Sequence, residues 1–173
     1  MIALVLIVLV VVAIVYVQQP RMAPQEEAEK REETEQVQPR PTMSAMVYYL
    51  GSGEQLVALK RTVPQSPSTD QQVQNALQEL MQDPTEKNIS SAIPAGTRIL
   101  NVEVKNRIAY TDFSKELENM GGTAQVQAAL DQIVYTTTAV DGVDKVRLLI
   151  EGKAIDTFTG EGFMVDQPLG REN

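Results

Sequence analysis

Hydrophobic positions crowd the start of the chain and then recur with two different periods. Ile2 to Val17 carries no charge, and only Tyr16 interrupts its Val, Ile, Leu and Ala residues. As a helix rising about 1.5 Å per residue, this run is about 24 Å long. That is somewhat less than a ~30 Å hydrocarbon core, and Met1, Gln18 and Gln19 can extend it. Its anchoring side chains are Ile2, Leu4, Leu6, Ile7, Leu9, Val12, Ile14 and Val17. A secretory signal peptide starts with basic residues and ends in an Ala-x-Ala-like site. No Lys or Arg precedes this run, and Ala13-Ile14-Val15 ends in valine. A transmembrane anchor over 1–17 is therefore expected. Arg21 follows it and no cation precedes it, so flanking charge does not orient it.

Gln18 to Thr42 alternates with nothing. Pro20, Pro24, Pro39 and Pro41 bound it, and it carries Glu26, Glu27, Glu29, Glu32, Glu33 and Glu35 with few apolar side chains to bury. It reads as an acidic linker over 18–42, reaching about 25–30 Å as a flexible coil.

From Met46 the pattern becomes that of a folded domain, assigned to 43–173. Met46 to Leu50 and Leu56 to Val63 read as strands around the Gly51-Ser52-Gly53 turn. A helix starts at Ser68 or Thr69, each a good N-cap with Gln three residues on. Its stripe is Val73, Ala76, Leu77, Leu80 and Met81, and Asp83-Pro84 stops it. Ile89 to Thr97 reads as a loop. Arg98 to Lys105 and Ile108 to Phe113 alternate as two strands joined at Asn106. Gly121-Gly122 breaks the chain, and Thr123 caps a second helix presenting Val126, Leu130, Ile133, Val134 and Thr137. Asp141-Gly142 ends that helix, Lys145 to Ile150 is a further strand, Glu151-Gly152 turns, and Ala154 to Leu169 forms an extended, irregular tail. The order ββαββαβ predicts an α/β domain of the α+β type. The expected architecture is a two-layer sandwich, a mostly antiparallel sheet with both helices on one face, separate from the N-terminal transmembrane helix.

Composition narrows the chemistry. The chain has 173 residues and a net charge of −8. Four basic residues against six glutamates give the linker −2, leaving −6 of the −8 for the rest. Such a charge repels nucleic acid, and no nucleic-acid partner is expected. There is no Cys and no His. Disulfides, thiolate chemistry and an N-terminal lipid-bearing Cys are thereby removed. So are the side chain best suited to proton transfer at neutral pH and the commonest transition-metal ligand. No enzyme activity, cofactor or metal is expected.

The best carboxylate group is Asp112, Glu116 and Glu118. Asp112 ends a strand and Ser114 is placed to cap a short helical turn, which accounts for Asp-Phe-Ser without catalysis. Asp112 or Asp166 would be the candidate cation ligand, yet no Asp-x-Asp-x-Asp-Gly spacing is present. Ser90 and Ser91 lack a base in sequence context. Gly121-Gly122 and Gly160-Glu161-Gly162 read as backbone turns. Tyr48, Tyr49, Tyr110 and Tyr135 alternate with apolar residues and read as core or, if grouped on a face, as an interface.

Six stretches in order resemble the GerMN domain of sporulation and spore germination proteins: Ser90 to Thr97, Ala109 to Ser114, Gly121 to Ala124, Gln132 to Thr136, Leu148 to Lys153, and Gln167 to Glu172. The resemblance as a whole covers essentially Met46 to Glu172, with ordinary spacing between the stretches. The resemblance implies a membrane- or lipid-anchored protein of the bacterial envelope, its domain outside the cytoplasmic membrane, with no established catalytic residues. It also implies a fold similar to ring-building modules of envelope secretion assemblies, hence contacts with envelope proteins or self-association. The chain departs from the pattern by lacking a lipid-bearing Cys and by holding one such domain where some members hold two. Three functions follow in descending order of support: a scaffolding module, a peptidoglycan-binding domain, and a glycan hydrolase using Asp112 and Glu116.

Overall fold

Period-two alternation builds a long hairpin first. In the computed structural model, which describes residues 41–158 and 162–171, β1 (Thr42–Gly51) pairs antiparallel with β2 (Leu56–Pro64) from Thr42↔Pro64 to Leu50↔Leu56. Val47 and Tyr49 point into the core, while Met46 and Tyr48 face outward. The strand starts four residues before Met46 and takes up Thr42, which the composition assigned to the linker. Polar Thr42 and Ser44 alternating with Met43 and Ala45 satisfy the strand period but dilute its apolar signal. The expected anchor at 1–17, and the linker up to residue 40, lie outside the described residues.

Helix α1 (Thr69–Leu80) follows, burying Val73, Asn75, Ala76, Leu77 and Leu80, with Met81 as C-cap packed on the core. Ser68 occupies the N-cap position, but its side chain makes no capping hydrogen bond. Within the expected loop, Ile89–Ser90 forms a short strand, β3, against Leu50 and Gly51 of β1. Strands β4 (Ile99–Lys105) and β5 (Ile108–Phe113) form an antiparallel hairpin. Its two loop residues, Asn106 and Arg107, have φ of 52° and 66°, the left-handed geometry that two-residue hairpins require. The Arg107 guanidinium also pairs with Asp144 at 2.5 and 2.7 Å. A 3-10 turn (Lys115–Glu118) leads to α2 (Thr123–Thr137). The N-cap of α2 is Gly122 at φ 103°, rather than Thr123.

Strand β6 (Lys145–Ile150) returns from α2 and lies parallel to β5. A strand reached through a crossover helix can enter parallel, whereas a tight turn forces antiparallel pairing. The tail is more regular than expected. β7 (Lys153–Ala154) pairs with β6, β8 (Thr157–Phe158) pairs with β9 (Phe163–Met164), and Leu169 bridges Val146.

The domain is α+β with two helices and mostly antiparallel sheets, but its strands do not form the single sheet that the element order suggested. They divide into β2–β1–β3, β4–β5–β6–β7 and the β8–β9 ribbon. Helix α1 packs on β1, β2 and β4, and α2 on β1, β6 and α1. The cause is visible at the strand edges, where helix side chains occupy hydrogen-bonding positions that another strand would otherwise fill. Asp70 of α1 accepts the Val104 N–H at 3.0 Å. Thr136 of α2 accepts the Tyr48 N–H at 3.0 Å, and Gln132 donates to the Tyr48 carbonyl at 3.1 Å. Gln132 also accepts the Ala92 N–H at 2.7 Å and is 0% exposed. In the tail, Gln167 does the same for β6: its carbonyl accepts the Leu148 N–H at 2.5 Å, and its amide donates to Leu148 and Ile155 carbonyls.

These polar bridges sit among apolar neighbours, with Val47, Leu77, Phe113, Leu117, Ile133 and Leu148 all in one core cluster. Gln132→Leu leaves the Ala92 N–H and the Tyr48 carbonyl without partners, at about 1–3 kcal/mol for each unsatisfied group. Chemical denaturation is expected to show a loss of roughly 2–5 kcal/mol. The opposite sign is expected for Thr111→Val, since the fully buried Thr111 hydroxyl has no hydrogen-bond partner. That variant should be neutral or gain up to about 1–2 kcal/mol.

Candidate functional site

Several carboxylates of the fold bind its own backbone and cations. Asp112, at the end of β5, accepts the Gly152 N–H at 2.9 Å, tying the β6–β7 turn to β5. Glu151 of that turn accepts the Lys115 N–H at 3.2 Å. Glu116, in the 3-10 turn, faces Arg98 at 3.4 Å. A hydrogen bond from Ser114, its own backbone N–H and the Arg98 charge hold its carboxyl below the usual range. The Ser114 hydroxyl oxygen accepts the Arg98 N–H at 3.0 Å, so it latches the strand before it rather than capping the turn. Glu118 is half-buried in the same turn. Asp166 lies apart, exposed beyond β9. Among the described residues, no three acidic groups are placed to hold a metal ion.

The other sequence candidates also have local roles. Ser90 is part of β3, and Ser91 accepts the Ile93 N–H at 3.1 Å. Gly121 donates its N–H to Gln125 at 2.8 Å. Gly162 turns at φ 65°, whereas Gly160 and Glu161 lie outside the described residues.

The four tyrosines separate. Tyr49 is a core residue, its hydroxyl donating to the Glu79 carbonyl at 2.8 Å at the end of α1. Tyr110 lies half-buried on the outer face of the second sheet, in register with Glu103 and Arg147. Tyr48 and Tyr135 come together, 5.4 Å apart and tilted by 57°. Arg171 sits over both rings, 5.7 Å from Tyr48 and 5.0 Å from Tyr135, where the ring quadrupoles attract a cation. Its Nε donates to the Thr138 hydroxyl at 2.8 Å and its Nη2 to the Tyr135 carbonyl at 3.3 Å. The last turn of α2 has no basic residue of its own, so the tail supplies the cation that a helix C-terminus favours.

Beside this cluster the first sheet is open. Met46, 39% exposed, pairs with Lys60, and Tyr48 pairs with Ala58 on the same outer face. The Tyr48 N–H and carbonyl both point away from β2. Strict antiparallel register then sends the backbone groups of Ala58 and Lys60 away from β1 as well, to the far side of β2. Among the described residues no strand lies there; Asn75 of α1 donates to the Pro64 carbonyl at 2.9 Å at the end of β2, and the outward row at Ala58 and Lys60 is left as an open edge.

Arg61 holds this edge strand in place. It binds both oxygens of Glu86 at 2.6 and 2.8 Å, approaches Glu79 at 3.6 Å, and lies 5.5 Å from the Tyr49 ring.

Arg171, Gln132 and the β2 edge were not singled out by sequence reasoning. Gln132 carried a usable signal, a polar residue beside the apolar stripe of a helix. Arg171 and the edge carried none, because both depend on which segments meet in space.

What the fold and surface define is a small α+β domain in which a few polar side chains finish the sheets and, among the described residues, the β2 edge is left open. The chain belongs to the Germane family, described as sporulation and spore germination, whose model matches residues 46–156. It is 28% identical to the spore germination protein GerM of Bacillus subtilis over 153 residues, 85% of this chain and 40% of that protein. The chain thus aligns with less than half of that relative's length. The first GerMN domain of B. subtilis GerM superposes with a TM-score of 0.66 at 26% identity, covering 76% of this chain and all of that one. The tandem GerMN domains of the same protein give 0.62 at 24% identity, covering 76% of this chain and 47% of that one.

The Arg61–Glu86 pair makes the hold on β2 dependent on acid. Hydrogen bonds from Arg61 lower the Glu86 carboxyl from 4.5 to about 2, while Arg61 is pushed above its ordinary range and stays charged throughout. A depressed carboxyl contributes stability above its unfolded value, and that contribution disappears as pH falls through the folded one. The melting-temperature difference between the native chain and Glu86→Gln is expected to be constant above about 4.5, to shrink as pH falls toward about 2 and to be lost below it.

Proposed function

We propose that this chain is a membrane-tethered, extracytoplasmic interaction module of the bacterial envelope, serving sporulation, germination or a related cell-wall process through protein–protein contacts. The observation that carries this reading is the open β2 edge beside the outward Met46, Tyr48, Tyr135 and Arg171 surface. Open strand edges recruit an added strand through main-chain hydrogen bonds, and half-exposed Tyr and Arg are the side chains that dominate protein contacts. A partner strand or the β2 of a second copy fits the same edge. Support for the tether is the apolar run Ile2 to Val17, and support for the process is the family description. No helix among the described residues is long and apolar enough to cross a membrane.

A second reading, peptidoglycan binding, draws on the Glu103–Tyr110–Arg147 row across the outer face of the second sheet, where a ring flanked by opposite charges suits a sugar. Photo-crosslinking groups placed in the full chain at Lys60, Met46 and, as a control, the exposed Gln78 of α1 separate these readings. Protein adducts are expected at Lys60 and Met46 and absent at Gln78. Because the Lys60 N–H points away from β1, Lys60→Pro should melt close to the native chain while adducts at Met46 fall several-fold. Equal labelling at all three positions, or cosedimentation with purified sacculi that Lys60→Pro does not alter, would overturn the protein-contact reading.

A further inference from the structure

A groove separate from the β2 edge runs between α2 and the β8–β9 ribbon. Leu130 and Val134 of α2 form one wall, Phe163 and Leu169 of the tail the other, and the space is about 170 Å³. That is well below the ~300–1,000 Å³ of small-molecule sites and suits one long side chain. The charged residues lining it are Asp131 and Asp166, with no cation among them. One Asp131 oxygen accepts the Gln127 amide at 2.9 Å, and partial burial raises its carboxyl above the usual range, so a cation beside it would gain by pairing. Met164, 81% exposed, stands at the rim, where an unbranched thioether can adapt to what enters.

We infer that this groove takes a lysine or arginine side chain from a basic segment of a partner protein, its aliphatic stem lying on Leu130, Val134 and Phe163 and its charge between Asp131 and Asp166. An apolar stem ending in a cation is the shape that an apolar floor rimmed by carboxylates complements. A neutral chain of the same length forgoes the charge pairing, and an anion is repelled. The inference rests on reading the domain as a protein-binding module. Its test needs no partner, so a negative result here leaves the crosslinking at Lys60 untouched.

The probes are N-acetyl-arginine methylamide, N-acetyl-lysine methylamide and the neutral N-acetyl-norleucine methylamide, titrated into the full chain with the methyl signals of Met164, Leu130 and Val134 followed by NMR. Saturable shifts are expected from both basic probes and at least several-fold weaker ones from norleucine. Asp131→Asn keeps the shape and the Gln127 contact, and should weaken the basic probes several-fold without changing norleucine. Asp166→Asn is the parallel variant if the first loses its fold, as judged from the Val47 and Leu148 core methyls. Norleucine binding as well as arginine, or basic probes indifferent to both substitutions, would overturn the inference.

Discussion

A buried backbone amide or carbonyl must find a partner, and in this domain side chains repeatedly supply it. Gln132 and Thr136 act as a substitute strand for β1, Asp70 for β4 and Gln167 for β6. The buried Gln132 joins the loop at Ala92, β1 and α2 in a single residue, so the interior cannot shift there without orphaning two backbone groups. The division of the strands into separate sheets follows from this: where a helix side chain fills an edge, no further strand can be added. The same arrangement singles out β2, a long strand whose outward row is met by Asn75 of α1 at the Pro64 carbonyl and stays open at Ala58 and Lys60 among the described residues.

This economy of polar groups also governs the chemistry. Asp112, Glu116 and Glu151 stand close in sequence to turns and are used there, binding the Gly152 N–H, Arg98 and the Lys115 N–H in turn. Of these, the Glu116 carboxyl is held below the usual range by the Ser114 hydroxyl, its own backbone N–H and the Arg98 charge, which keeps it charged near neutrality. Asp131 is the contrast, a partly buried carboxyl whose environment raises it, and it lies in a groove instead of a turn.

Arg171 shows how the end of the domain is bound into it. A helix ending at Thr137 with no cation in its last turn leaves carbonyls facing solvent, and the guanidinium of the tail meets them while covering Tyr48 and Tyr135. Tail, helix α2 and strand β1 thus share one surface. The stretch Gln167 to Arg171, one of those resembling the family pattern, is structurally the clamp that closes the second sheet and then reaches the first.

Local patterning determined the elements themselves. The stripe over Val73 to Leu80, the alternation over Ile99 to Lys105 and Ile108 to Phe113, and the break at Gly121-Gly122 are set by residues within one or two turns of each other, so a single chain reveals them. So are the missing histidine and cysteine and the resemblance that placed the family. Tertiary structure alone decided the rest. It split the sheet, made β6 parallel to β5, joined Tyr48 to Tyr135 under Arg171, left β2 as an edge and opened the groove beside Asp131. Each of these depends on partners 19 to 123 positions apart, such as Leu148 with Gln167 and Tyr48 with Arg171. The energy of such contacts belongs to pairs of residues that no local window contains.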